Sequence, residues 1–462
     1  MFDNIIKFFK KYYLLILFIL GLLILYFRSA HNILFPNIYA EDGNWLANIW
    51  NKGTLWTILN ARNDYLTFWL IIELKISDVI CNLIYGGNIA YIPKVIYFVS
   101  LISYTIIATI PVLFLKKRLS KFAQLFLFFM ILLLPMGNTS NEVLGRILQG
   151  HFFMWFIAFC LLIYRYDNKI EKKINTLFVD ILLCTIVCTN PVVLIEIVVY
   201  FIIELFEIYK KNGNNIRNLN IKKILNDKYI KQLLCFGLAI MMIGIFMVIK
   251  TINYKDLEVH NLPNYKNTIE FFVRSFLYPY IFPFYKKLNN IIGIIILLFM
   301  LTIYFIAYKK ISEKNKKIYI LSIISTISIA VITFITRAYL TASLLGYSDN
   351  NIPDRYFMIM NISNLITPAI IISEFNKTKF TEYFCYIFIA YIACIYINYC
   401  EYIFIFDKNE CLAITDITFD ERLKNAKYDE KRKVYDVDID PWWKIEIPEY
   451  KYQKYKEDMN YE

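Results

Sequence analysis

The chain has 462 residues, 58% of them hydrophobic and 19% charged, and a formal net charge of +12. Apolar runs of membrane-span length recur along it, which excludes a soluble globular protein. The basic excess lies in short loops and forms no module with a recognition fold, which excludes a nucleic-acid partner.

The first apolar run, Tyr12–Phe27, follows Lys7, Lys10 and Lys11. Cations flanking a span stay in the cytoplasm, so this run leads outward. No small-residue cleavage site follows it, so it is expected to stay as an anchor. Residues 28–90 then form a long outer loop with amphipathic stretches, Trp45 to Trp50 and Leu66 to Leu74, that suit the membrane surface. Tyr91–Leu115 returns inward to Lys116, Lys117 and Arg118, and Phe122–Leu134 goes out and stops at Pro135. A short loop from Gly137 to Gly145 precedes Ile147–Tyr164. Leu177–Cys188 and Val192–Ile208 make a hairpin around Thr189-Asn190-Pro191, and Leu233–Ile249 follows the inner loop 210–228. Residues 251–289 are a second long outer segment, rich in Tyr, Pro and Phe. Ile291–Tyr308, Tyr319–Thr336, Phe357–Ser373 and Cys385–Tyr399 complete the series.

The pattern predicts an all-α polytopic membrane protein with about eleven transmembrane helices and long extracytoplasmic loops, several runs being shorter than the roughly 20 residues a span usually needs. The amino terminus is expected in the cytoplasm and the carboxyl terminus outside, in a lipid bilayer. Residues 1–401 read as the transmembrane domain and 402–462 as a small polar extracytoplasmic tail. In the tail, the alternation before Pro441 suggests a short strand, and Trp442 and Trp443 could bind glycan or dock on the outer membrane surface, docking against the outer loops being the plainer reading. The nine cysteines form no CxxC, and those in spans, such as Cys184, Cys188 and Cys235, read as small apolar residues. His31, His151 and His260 are too scattered for a zinc site.

Chemistry concentrates on the outer side. Glu41-Asp42 stands just after the first span, in Ala40-Glu41-Asp42-Gly43, with aromatic Trp45 to Trp50 behind it. A carboxylate there can take a proton from an acceptor hydroxyl; a solvated Asp-Gly turn is the plainer alternative. Arg28, Arg62, Arg146, Arg274, Arg337 and Arg355 all fall outside, most of them near span ends, against the positive-inside trend. Their planar forks suit lipid phosphate, although some could pair with Glu142 or Asp354 or snorkel to headgroups. Glu142, Arg146 and Gln149 share a helix face if the fourth span starts early, with His151 near it; a helix cap with a local ion pair is the alternative. Tyr278-Pro279-Tyr280 could stack on sugar rings or belong to an interfacial belt.

A long membrane chain, an acidic pair soon after the first span and further large outer segments together resemble the GT-C superfamily of integral membrane glycosyltransferases. The stretch Ala40-Glu41-Asp42-Gly43 with Trp45 and Asp64-Tyr65-Leu66 is similar to a bacterial, O-antigen-modifying branch. The resemblance implies transfer of a sugar from a polyprenyl-phosphate donor to a cell-envelope glycan or glycolipid on the extracytoplasmic face of the bacterial inner membrane, inverting the anomeric centre. It implies Asp42 as base with Glu41 beside it, and Arg355, Arg274, Arg146 and Arg337 at the donor phosphate. Tyr356, Asp64, Glu142, Gln149 and His151 would contact substrate. No cofactor is required by these residues, and a divalent metal is compatible with them. The main rival is a transporter or flippase working through Glu196 and Glu204 in the sixth span.

Overall fold

A computed structural model describes residues 2–136, 139–168, 173–211, 228–252, 265–336, 354–375, 379–400 and 415–459. Among these, seven helices are long and apolar enough to cross a membrane: Lys11–Arg28, Ile89–Phe114, Leu148–Asp167, Lys228–Ile252, Asn290–Lys310, Glu313–Ile335 and Arg355–Glu374. Lys121–Leu132, Thr176–Thr189 and Cys385–Asn398 are apolar but shorter, and Val193–Lys211 is interrupted by Glu196, Glu204 and Glu207. All eleven segments drawn from the sequence are thus helical, and seven of them reach span length and apolarity.

The bilayer follows from what the helices leave uncovered. Lys228–Ile252 and Asn290–Lys310 expose Leu238, Met242, Phe246, Ile295, Phe299 and Phe305. Apolar helix faces of that extent are stable against hydrocarbon and not against water. Inside the bundle, Trp155, Phe156 and Phe159 of one span pack among Phe128, Leu183 and Leu365. Arg28 ends the first helix inside this core and donates to the carbonyls of Leu132 and Leu134 (2.9 Å to the latter). Those carbonyls close the helix Lys121–Leu132, where no intrahelical partner remains. Arg28 therefore serves the fold.

The predicted outer segment 251–289 holds a helix, Tyr265–Ile281, whose Phe271, Val273 and Leu277 are buried in the bundle core. Tyr280 donates to the Asn364 carbonyl at 3.0 Å, and Tyr278 packs edge-on against Tyr285. The Tyr278-Pro279-Tyr280 run is core, packed against neighbouring helices.

A second core forms at one end of the bundle. Helices Glu41–Lys52, Thr54–Asn60 and Phe68–Ile84 supply Trp45, Leu46, Leu70, Ile71 and Leu74. The carboxyl-terminal unit supplies Phe419, Ile439, Ile445 and Ile447 to the same core. That unit is a helix, Phe419–Lys424, a three-stranded antiparallel sheet, and a final helix, Glu449–Met459. Strands β1 (Lys427–Asp429), β2 (Val434–Ile439) and β3 (Trp443–Pro448) lie in that order, with Val437 opposite Ile445. The strand expected before Pro441 is β2, and the sheet adds a β element to the otherwise helical plan. Gly43 permits the docking, because a Cβ there would collide with Ile439 Cδ1. Ala40 N–H donates to the Asp440 carbonyl at 2.6 Å. Lys451 Nζ and Trp50 Nε1 both donate to Asp78 Oδ1 at 2.9 Å. Residues 415–459 thus complete the loop's core and do not stand as a separate body.

Candidate functional site

The helix Glu41–Lys52 opens on two acids, favourable next to the uncompensated N–H groups of a first turn. Adjacent helical residues point about 100° apart, so the two carboxylates diverge. Glu41 lines a cavity of about 450 Å³ at the loop end of the bundle. Asp42 turns into the second core, where it is 1% exposed and accepts from the Ile147 N–H at 3.2 Å. Burial pushes its carboxyl up to about 7, against the pull of Arg146 and the backbone N–H of Ile147. Asp42 is outside the cavity lining, so of the acidic pair Glu41 is the member that can reach a ligand there.

The cavity wall is assembled from seven stretches of chain. The loop supplies Arg62, Asp64 and Tyr65. Arg62 Nε donates to Asp64 Oδ1 at 3.0 Å, and its guanidinium lies 4.8 Å from the Tyr65 ring centroid. Burial works to lower the pKa of Arg62, but Tyr65, Asp64 and Glu41 around it hold the guanidinium above its ordinary value. Opposite, Arg355 stands at the start of a span with Tyr356, its guanidinium 5.1 Å from the Tyr356 ring centroid. Arg355 is tethered by an ion pair with buried Glu142, while its N–H donates to Thr139 Oγ1 at 3.1 Å. Tyr39 lies on the same wall, and burial pushes its phenol up to about 12 although Arg355 and Arg146 oppose this.

Gln149 and His151 line the cavity from the 3₁₀ segment that opens the third long span. His151 Nδ1 lies 2.8 Å from the Leu148 carbonyl, which can only accept, so Nδ1 carries hydrogen. The turn of the following hairpin closes this side: Asn190 lines the cavity and donates to the His151 carbonyl at 2.9 Å. Pro441 and Trp443 of the carboxyl-terminal unit complete the wall.

The residues expected at the site are therefore sorted by the tertiary structure. Glu41, Asp64, Gln149, His151, Arg355 and Tyr356 share the cavity, and Glu142 sits behind Arg355. Arg146 does not reach it. Its guanidinium is buried, donating to the Asn37 carbonyl and, at 2.9 Å, to Asn32 Oδ1. Burial holds its pKa below the ordinary value even with Asp440 and Asp42 nearby. Arg274 is buried among aromatic rings, 4.4 Å from the Tyr278 centroid and 4.6 Å from that of Tyr285. Arg337 and His260 lie outside the described residues. The helix face expected to carry Glu142, Arg146 and Gln149 is broken: Ser140–Val143 is a single turn, Gly145 has φ +77°, and a 3₁₀ segment begins at Leu148. Gly145 meets a real requirement, because a Cβ would also strike the Tyr97 ring.

The sequence offers Arg62 only as one of six outer arginines and Trp443 only as one of two tail tryptophans, without singling out either for the site. The spacing of Arg62 to Asp64 in one loop is the local signal for the first. Trp443 lies some 400 positions from Glu41, and no local pattern joins them. Among the described residues no three or more His, Cys, Asp or Glu side chains cluster closely enough to hold a metal ion.

Fold and cavity together define a polytopic helical membrane protein with a polar, two-arginine pocket where its loops meet its bundle. Searches against protein-family profiles, curated proteins and solved structures return no match to the chain.

Proposed function

We propose that this protein is a membrane glycosyltransferase of GT-C type, moving a sugar from a polyprenyl-phosphate donor to a cell-envelope glycan or glycolipid. The observation that carries the reading is the meeting of Glu41, Arg62 and Arg355 in one cavity between lipid-facing helices and a polar unit. All eleven helical segments cross the membrane in this reading, with the amino terminus in the cytoplasm and the cavity outside. Glu41 takes the proton as the acceptor oxygen attacks the anomeric carbon. The bond from that carbon to the donor phosphate breaks, and its electron pair goes to the phosphate oxygen. Arg62 and Arg355 face the charge that develops there, where fixed cations act most strongly. A single displacement inverts the anomeric centre. Asp42 keeps the helix start seated behind Glu41, and Asp64 and Glu142 hold the two guanidinium groups.

The test is transfer from a total lipid extract of the source cells to envelope glycan by purified protein in vesicles. A general base contributes roughly 10²- to 10⁴-fold, so Glu41→Gln is expected to lose at least about 100-fold with folding intact. Transfer at the wild-type rate by folded Glu41→Gln would remove the assignment. A transporter reading draws on one observation: Glu196 is fully buried, and neither carboxylate oxygen has a hydrogen-bond partner among the described residues. It lies one helical turn from Val192, which lines the cavity. Loss of substrate movement in Glu196→Gln, with no effect of Glu41→Gln, would favour that reading.

A further inference from the structure

We infer that Trp443 is a saccharide platform, and that the carboxyl-terminal unit presents it to a glycan acceptor arriving from water. The inference rests on the glycosyltransferase reading for the word acceptor, and on geometry for the subsite itself. Trp443 begins β3 and lines the same cavity as Glu41, Arg62 and Arg355, with 37% of its surface exposed. Its neighbour Trp442 is 84% exposed, lies outside the lining, and adopts φ 152°, a conformation that L residues seldom take. The chain turns here so that one indole enters the cavity and the other does not.

Three features point to a sugar. An indole offers a broad apolar face with little conformational freedom to lose. The rest of the wall offers carboxylate, guanidinium, amide and imidazole groups. A pyranose ring matches that combination, with C–H groups on one face and hydroxyls around its edge. The third feature is direction. Trp443 is carried by a unit whose exposed turn, strand and helix positions include Lys431, Arg432, Lys444, Glu446, Lys454 and Glu457. Such a surface belongs in water, whereas the lipid-facing helices expose Ile, Leu and Phe. A ligand on Trp443 therefore enters from the aqueous side, and the lipid-borne donor from the bundle side.

The platform is also fixed in place relative to Glu41. Tyr39 forms a parallel bridge with Asp440, and Ala40 N–H donates to the Asp440 carbonyl. Asp440 is held from its own unit by Arg422, 2.7 Å away, and by Thr415 at 3.1 Å. Two residues, Pro441 and Trp442, separate Asp440 from Trp443, and Ala40 alone separates Tyr39 from Glu41. The acid and the indole thus share a rigid mount.

The experiment uses the full chain in nanodiscs and, as probe, envelope polysaccharide purified from source cells lacking the gene. Binding is read by saturation-transfer NMR, with protease resistance of residues 415–459 confirming that the unit stays folded. Aromatic pairing strengths of the usual size correspond to roughly threefold to tenfold in affinity, and Trp443→Ala is expected to weaken binding by that factor. Trp443→Phe should stay within about twofold and Trp442→Ala should match wild type, since aromatic stacking survives in the first and the second leaves the cavity. Wild-type affinity in folded Trp443→Ala, or no binding by wild type, overturns the inference. So does a component of tryptophan quenching by brominated lipid that persists in Trp442→Phe and is lost on Trp443→Phe, which would make Trp443 a membrane anchor. Binding that depends on Trp443 without any sugar transfer would sink the enzymatic reading alone; transfer that depends on Glu41 but not on Trp443 would sink the platform alone.

Discussion

Asp42→Asn tests whether the buried acid is a structural group held in its neutral form. In the folded protein its carboxyl is pushed up to about 7 from 3.8, chiefly because burial removes water from the charged form. The sign follows from linkage: a carboxyl with a raised folded pKa binds its proton more tightly in the folded state. Its stabilising contribution is complete below about pH 4, declines through pH 4 to 7, and is gone above that. At 1.36 kcal/mol per pH unit the full swing is on the order of 4 kcal/mol. Asn cannot titrate, so the variant lacks this leg. The assay is thermal unfolding of the full chain in detergent, followed by tryptophan fluorescence from pH 4 to pH 8. The difference in Tm between wild type and Asp42→Asn should fall as pH rises and level off near neutrality. A flat difference would refute the reasoning, because it would mean a solvated carboxylate. A difference that grows with pH would refute it in the other direction, making the attraction of Arg146 dominant over burial.

Glu142→Gln removes the buried partner of Arg355. Loss of one member of such a pair costs on the order of 3 kcal/mol when fully buried, and the partial exposure of Arg355 places this case below that figure. A lower Tm and a raised donor KM are expected, with KM unchanged arguing against Arg355 at the donor. Lys451→Met strips a cation from Asp78, which also holds Lys75 and Trp50. The final helix should loosen, read as faster proteolytic release of the carboxyl-terminal unit; an unchanged cleavage rate would mean that the apolar contacts of Phe419, Ile445 and Ile447 suffice.

Helices and bilayer were legible because each is written in consecutive residues. The run of Ile, Leu and Phe over Asn290–Lys310 needs no partner to be recognised, since hydrocarbon is its solvent. The amphipathic loop helices were visible for the same reason, and so was strand β2 from its alternation. Residues 265–281 read from sequence only as part of a Tyr- and Pro-rich outer segment; that they form a helix with a buried face is settled by packing. The site was legible only as an inventory. Nothing in the local sequence of Arg28, Arg146, Arg274 and Arg355 separates an arginine that caps carbonyls from one that faces a cavity.

The sequence by itself determined the class of molecule, the helical segments and the set of acids and arginines near their ends, because hydropathy and charge act over short stretches. Tertiary structure alone decided that Glu41 and not Asp42 enters the cavity, that Arg62 and Arg355 flank it while Arg146 and Arg274 are buried elsewhere, and that Trp443 closes its wall. These outcomes depend on helix phase and on contacts between segments hundreds of residues apart, and no local pattern carries that information.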